Sequence, residues 1–215
     1  MGLEYEVVFS PRVNKGAPPI FKEKVGGLGK FPVLVDGDIT VTESGNIAEY
    51  AGVLLEKWET FLISDFPSRY LCDTYDKLHS YLPAPGDPRR YEVLHWLHSS
   101  EGTFMTHALA ITYARWFQKD GSIQTTEEGL KGNVIRDFDY LEKTLISSGG
   151  EWICGKSFTV ADIMMHFSIT FILARELGTK GKSWGTVNKW VKNCEKEISF
   201  RKAVEATGYD LSQSG

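Results

Sequence analysis

One segment in the C-terminal half of the chain constrains the fold more than any other. It reads FTVADI at 158–163 and continues into a stretch, 164–177, that is apolar on nearly every side. Thr159 and Asp162 have the spacing of a capping box, in which each residue satisfies backbone amides at a helix start. A helix that is apolar all round has to be covered by other helices. The pattern therefore predicts the central helix of a bundle and gives Thr159 and Asp162 a structural role.

Two longer helices are predicted before this segment. Asp87 and Pro88 place an N-cap acceptor ahead of a first-turn proline, and apolar residues then recur with helical spacing as far as Phe117. Thr125 and Glu128 form a second capping box, and the helix that they begin runs to a pair of glycines. Both patterns indicate long amphipathic helices that pack against the central one.

The N-terminal part has a different pattern, with short segments and many turns. Residues 3–9 are typical of a strand, and two further short strands, 31–35 and 39–42, flank the sequence Asp36-Gly37-Asp38. An Asp-Gly pair between two apolar runs is typical of a tight hairpin. This part is therefore expected to contain a small sheet.

These patterns divide the chain into three parts. Residues 1–57 are expected to form a small α+β domain, 58–86 a linker or insertion, and 87–215 an all-α domain. The predicted fold class is thus α+β with two domains, of which the second is a helical bundle.

Charge and composition exclude several classes of function. The chain has 24 basic and 28 acidic residues, and no window gathers the lysines and arginines that bind nucleic-acid phosphates. Cys72, Cys154 and Cys194 are far apart and lack CxxC spacing, which is typical of reduced thiols in the cytosol. No secretory signal is apparent, and the longest apolar segment, 163–174, is shorter than a membrane span of about 20 residues. We expect no nucleic-acid partner, no membrane segment and a cytoplasmic location.

Three motifs carry a resemblance to a known family. They are GKFPVL at 29–34, TESGNI at 42–47 and GKSFTVADI at 155–163. Together they resemble the loop and cis-proline strand, the acidic-serine motif and the helix start of the cytosolic glutathione transferase superfamily. The stretches 85–91 and 96–102 are most similar to fungal glutathione-transferase-like proteins. The resemblance implies a thioredoxin-like N-terminal domain, glutathione as cofactor, a small electrophilic substrate and a homodimer.

The resemblance also implies a glutathione site formed by Lys30, Phe31, Pro32, Glu43 and Ser44. A cis peptide before the proline would turn the backbone of Phe31 outward to pair with an extended peptide. Ser44 would hold the γ-glutamyl carboxylate and Glu43 the ammonium, while Lys30 would contact a carboxylate. Each has a plainer interpretation: a trans proline that starts an edge strand, an ordinary helix N-cap pair and a solvated lysine.

On the first long helix, the resemblance makes His98, Glu101 and Met105 candidates for contact with the electrophilic substrate. Simple contacts between helices are the alternative for each of them. His95 and His98, with Glu92 and Glu101, also have a spacing that a metal could use, but the pattern is generic, and no metal site is predicted.

Two departures from the family bear on activity. The resemblance implies that a first strand and helix are missing ahead of residues 2–8, which leaves the N-terminal domain incomplete and no catalytic residue assigned. Residues 51–69 look like an insertion. We expect an enzyme that adds the glutathione thiol to an unsaturated electrophile, by conjugation or by cis–trans isomerisation, as in fungal secondary metabolism. The alternative is a non-catalytic binding or regulatory protein.

Overall fold

The computed structural model describes residues 33–42 and 69–208, together with Glu6, Val8 and Pro18. The chain divides into two compact units, one of Met1–Ala84 with Lys202–Tyr209 and one of Pro85–Arg201 with Asp210–Gly215. The described elements are β1 (Val33–Asp36), β2 (Ile39–Thr42), α1 (Arg69–Tyr75), α2 (Arg89–Ser99), a π-helical segment (Ser100–Met105), α3 (Thr106–Phe117), α4 (Ile123–Ser148), α5 (Val160–Ala174), α6 (Gly185–Lys196) and α7 (Ile198–Thr207).

The first unit contains the predicted hairpin. β1 and β2 pair antiparallel around Gly37, whose positive φ of 58° favours glycine in the turn. The inner side chains Leu34 and Val41 are buried, and Leu71 and Tyr75 of α1 pack against them. The Tyr75 hydroxyl donates to Asp36 at 2.7 Å. The hairpin is therefore fixed by an apolar contact and a polar one to the same helix.

In the second unit, the predicted first long helix is present but is interrupted. It consists of α2, the π-helical segment and α3 in direct succession. Asp87 accepts a hydrogen bond from the Arg89 amide at 2.9 Å, as an N-cap acceptor does, although the helix begins one residue later than the sequence pattern suggests. The inner side of the run is buried through Val93, Trp96, Phe104 and related residues.

The predicted start of α4 was wrong by one turn. The N-cap residue is Ser122, whose hydroxyl accepts from the Thr125 amide, and Thr125 itself lies inside the helix. Serine is at least as good an N-cap as threonine, and the earlier start adds a further turn of hydrogen bonds. The predicted C-terminal stop is confirmed, because Gly149 has the left-handed conformation at a φ of 98°.

The capped apolar segment forms α5 and lies in the middle of the bundle, as predicted. Asp162 is fully buried, and it accepts hydrogen bonds from the amide and the hydroxyl of Thr159 at 2.9 and 3.0 Å. It also accepts from the Ile153 amide and from the indole of Trp190, both at 2.9 Å. Burial raises the pKa of Asp162, and these hydrogen bonds oppose that shift. The carboxylate therefore joins the helix start, the preceding loop and α6.

The N-terminus of α6 is held by side chains of α4. Glu142 accepts from the amides of Thr186 and Val187 at 3.0 and 2.8 Å, and Asp139 accepts from the indole of Trp184 at 2.7 Å. Carboxylates at a helix start satisfy amides that have no partner within the helix. No helix in the described part of the chain is both long and apolar enough to cross a membrane.

Candidate functional site

The hairpin pairs the two residues that adjoin the predicted glutathione-binding residues in the sequence. Val33 lies directly opposite Thr42 in the sheet register. Opposed residues of an antiparallel pair have α-carbons about 4.5–5.5 Å apart. Lys30, Phe31 and Pro32 precede the first of these positions in the sequence, and Glu43 and Ser44 follow the second; these five residues lie outside the described ones.

The predicted electrophile contacts lie at the junction of α2 and the π-helical segment. His98 is in the last turn of α2, while Glu101 and Met105 belong to the π-helical segment. His98 and Glu101 are exposed, and Met105 is half-buried. The structure therefore places all three on one short stretch of the long helix, where two of them reach solvent.

Hydroxyl groups surround the π-helical segment. Ser99 donates to the carbonyl of His95 and Ser100 to that of Leu97, both at 2.7 Å. The Thr106 hydroxyl donates to the carbonyl of Glu101 at 2.8 Å. Such bonds compete with the regular helix ladder and are associated with bends. Sequence reasoning missed this segment, although the run of serine, glycine and threonine at 99–106 was a signal of weak helix propensity.

The inner side of the segment is held by aromatic packing. Phe104 is 2% exposed, and its ring centroid lies 6.3 Å from that of Trp96 and 6.1 Å from that of Phe138 on α4. Aromatic pairs at this separation contribute about 0.5–1.5 kcal/mol beyond the area that they bury. The segment is therefore fixed on its inner face and open on its outer face.

Cys154 and Cys194 do not offer a reactive thiolate. Cys72 and Cys194 are buried, Cys154 is half-buried, and none of the three is in a disulfide. Burial, followed by the negative charge of Asp162, raises the pKa of Cys154 and of Cys194. A thiol whose pKa is raised in this way is a poor nucleophile at neutral pH.

Two histidines of the bundle have roles that the sequence did not reveal. His166 is buried against the rings of Trp190 and Phe200, with Glu195 at 4.0 Å from its Nε2, and burial lowers its pKa to about 4. The imidazole is therefore neutral at pH 7. His107 on α3 contacts Asp137 on α4 at 2.6 Å and links the two helices.

The four residues considered for metal binding do not form a site. His95, His98, Glu92 and Glu101 all lie in the described stretch 69–208, where no group of three histidine, cysteine or acidic side chains could hold a metal ion. The aromatic contact of His95 with Tyr140, at 6.3 Å between centroids, indicates a packing role instead.

Comparison with protein families matches both ends of the chain. Residues 1–52 match the model described as "Glutathione S-transferase, N-terminal domain", and residues 105–206 match "Glutathione S-transferase, C-terminal domain". The chain is a member of the glutathione transferase superfamily. These two matches confirm the predicted fold class of the chain, an α+β N-terminal domain followed by an all-α domain.

Individual relatives and solved structures are similar to most of this chain. "Glutathione S-transferase 3" of Schizosaccharomyces pombe is 26% identical over 94% of this chain and 77% of its own length. A glutathione S-transferase structure from Actinobacillus pleuropneumoniae has a TM-score of 0.74 at 24% identity and covers all of this chain and 87% of its own. Glutathione transferase URE2P6 of Phanerochaete chrysosporium, solved in complex with oxidized glutathione, has a TM-score of 0.71 at 24% identity, over 95% of this chain and 84% of its own.

Proposed function

We propose that this chain is a glutathione-transferase-like enzyme that adds the thiol of glutathione to a small unsaturated electrophile. The observation that carries the proposal is the register of the hairpin, in which Val33 lies opposite Thr42. In the sequence, the two stretches that the family resemblance assigns to glutathione adjoin these paired positions. The solved relative that holds oxidized glutathione supports the same ligand class.

Each proposed contact matches a group of the tripeptide. The backbone of Phe31, directly before Pro32, pairs with the extended ligand as an added strand would. Ser44 donates to the γ-glutamyl carboxylate, Glu43 accepts from the ammonium, and Lys30 pairs with a carboxylate. On the helical side, His98, Glu101 and Met105 contact the electrophile.

The chemistry is a conjugate addition. The sulfur electron pair forms a C–S bond to the β-carbon of an activated alkene, the π electrons move toward the activating group, and the thiol proton ends on the α-carbon. If the C–S bond persists, the product is a conjugate. If the adduct rotates about the former double bond and then expels the thiol, the alkene returns as the other isomer and glutathione is a cofactor. We propose secondary metabolism as the setting for either reaction.

A non-catalytic binding or regulatory protein is the second candidate. It is favoured by the burial that raises the pKa of Cys154 and Cys194, because this makes both thiols poor nucleophiles. For both candidates we propose a homodimer in the cytoplasm, which size-exclusion chromatography with light scattering and fractionation of cells would test.

Calorimetric titration with glutathione tests the proposal directly. We expect Ser44→Ala and Glu43→Gln to weaken binding about tenfold or more, because each removes a charge-assisted hydrogen bond. Ser147→Ala is the matched control, since the Ser147 hydroxyl is exposed on α4 and bonds to the carbonyl of Thr144. No binding of millimolar glutathione by the unmodified chain would contradict the proposal.

Incubation with a cis-configured activated alkene then separates the candidates. Loss of free thiol indicates conjugation, whereas isomerised alkene with unchanged thiol indicates the cofactor role. Glutathione binding with neither change indicates the binding protein.

A further inference from the structure

The π-helical segment interrupts the long helix where the proposed electrophile contacts lie. Glu101 and Met105 belong to it, and His98 precedes it by two residues. A π turn contains one residue more than an α turn, so the side chains beyond it are rotated by about 100° relative to a continuous α-helix. The register of this segment therefore decides in which direction the proposed contacts face.

Thr106 contributes backbone and side-chain hydrogen bonds to this register. Its amide donates to the carbonyl of Glu101, five residues earlier, and also to that of Thr103. Its hydroxyl donates to the same Glu101 carbonyl at 2.8 Å. Thr170 in α5 shows the ordinary arrangement, because its hydroxyl donates to the carbonyl of His166, four residues earlier, also at 2.8 Å.

The inner and outer sides of the segment have different surroundings. Phe104 is held on the inner side by Trp96 and Phe138. On the outer side, Glu101 and Gly102 are exposed, and a Cβ added at Gly102 would meet no atom within 4 Å. The outer side of the segment is therefore open at this position.

We propose that Thr106 is a positioning residue for substrate choice. It acts through Glu101 and Met105, by holding the π register that directs these two side chains toward the electrophile. This inference rests on the proposed function and extends it, because it names what selects among electrophiles of different shape. Thr106 itself has no contact with the substrate in this arrangement.

The test compares the affinities for two ligands in a set of variants. Calorimetry gives the Kd of glutathione and that of 1-(S-glutathionyl)-2,4-dinitrobenzene, and their ratio isolates the contribution of the aromatic group. We expect Thr106→Val and deletion of Gly102 to change this ratio about tenfold while the Kd of glutathione stays the same, since a misplaced contact group costs about that much. Thr106→Ser restores the hydroxyl and should keep the ratio within about twofold of the unmodified chain.

Thr170→Val is the matched control, because it removes a hydroxyl bond of equal length from a regular helix. Thermal unfolding identifies any variant that fails to fold. If the variant that lacks Gly102 fails to fold, the Kd ratio of Thr106→Val decides the test. An unchanged ratio in Thr106→Val, or an equal change in Thr170→Val, would overturn the inference even if glutathione binds. If the unmodified chain does not bind glutathione, the proposed function fails first, and this inference fails with it.

Discussion

At the scale of single residues, Asp162 shows how a local capping signal acquires a wider role. Its spacing from Thr159 predicted a capping box, and that interaction is present. The same carboxylate also accepts from Ile153 and from Trp190, which is 28 positions away in the sequence. One buried side chain therefore connects two parts of the bundle to the start of its central helix.

We expect Asp162→Ala to be among the most destabilising substitutions in the helical unit. It leaves buried donors of Ile153, Thr159 and Trp190 without an acceptor, and each such donor costs about 1–3 kcal/mol. The expected loss in the free energy of unfolding is roughly 3–5 kcal/mol in urea titrations. Asp139→Ala removes one bond from an exposed aspartate and should cost about 1 kcal/mol. Equal losses in the two variants would contradict this view of Asp162.

His166 gives the molecule a predictable loss of stability in mild acid. Its pKa is lowered to about 4 in the folded state by burial, whereas an unperturbed histidine titrates near about 6.5. Between these values the unfolded chain binds a proton that the folded chain does not, so stability falls as the pH falls. From pH 7 to pH 5 this loss is about 2 kcal/mol.

Urea unfolding at pH 7 and at pH 5 gives the loss of stability for the unmodified chain and for His166→Gln. We expect the unmodified chain to lose about 2 kcal/mol more than the variant, because glutamine does not titrate. His95→Gln, at an exposed position, serves as the control and should keep the full loss. A pH dependence that survives in His166→Gln would assign it to another group.

At the scale of elements, α6 depends on its neighbour for its start. Its N-cap residue, Trp184, forms no side-chain cap bond, and the two amides of Thr186 and Val187 bond instead to Glu142 on α4. The Trp184 ring packs on Phe138, with centroids 4.6 Å apart. The helix start is therefore defined by docking on α4 rather than by its own sequence.

Glu142→Ala should loosen this start. We expect a loss of about 1–2 kcal/mol in unfolding free energy and faster hydrogen exchange at the amides of Thr186 and Val187. Glu128→Ala removes an exposed glutamate on the same helix, paired with Lys131, and should cost less than about 0.5 kcal/mol. Unchanged exchange at both amides in Glu142→Ala would show that the carboxylate does not hold the helix start.

At the scale of the whole molecule, the chain joins a glutathione transferase N-terminal domain to an all-α C-terminal domain. The first unit contains the hairpin, whose paired residues Val33 and Thr42 adjoin the proposed glutathione-binding residues in the sequence. The second presents the long helix whose π-helical segment carries the proposed electrophile contacts. Calorimetry of the full chain with two ligands tests the proposed role of each stretch.

Features that depend on neighbours along the chain could be predicted before the structure was known. The hairpin around Gly37, the box at Thr159 and the stop at Gly149 are each specified by residues within a few positions. The family resemblance belongs here too, because its motifs are short and contiguous. The start of α4 was misplaced because two adequate N-caps, Ser122 and Thr125, compete at neighbouring positions.

Features that depend on distant partners could not be predicted in this way. Glu142 accepts a hydrogen bond from the start of α6, more than 40 positions away in the sequence. His107 on α3 contacts Asp137 on α4. His166 is neutral because it is buried against aromatic rings of α6 and α7. The π register at Thr106 likewise arises where weak helix propensity meets a Phe104 anchored on another helix. Hydrophobic periodicity and capping residues predict the backbone conformation of a single element, whereas these contacts form only after the elements have packed together.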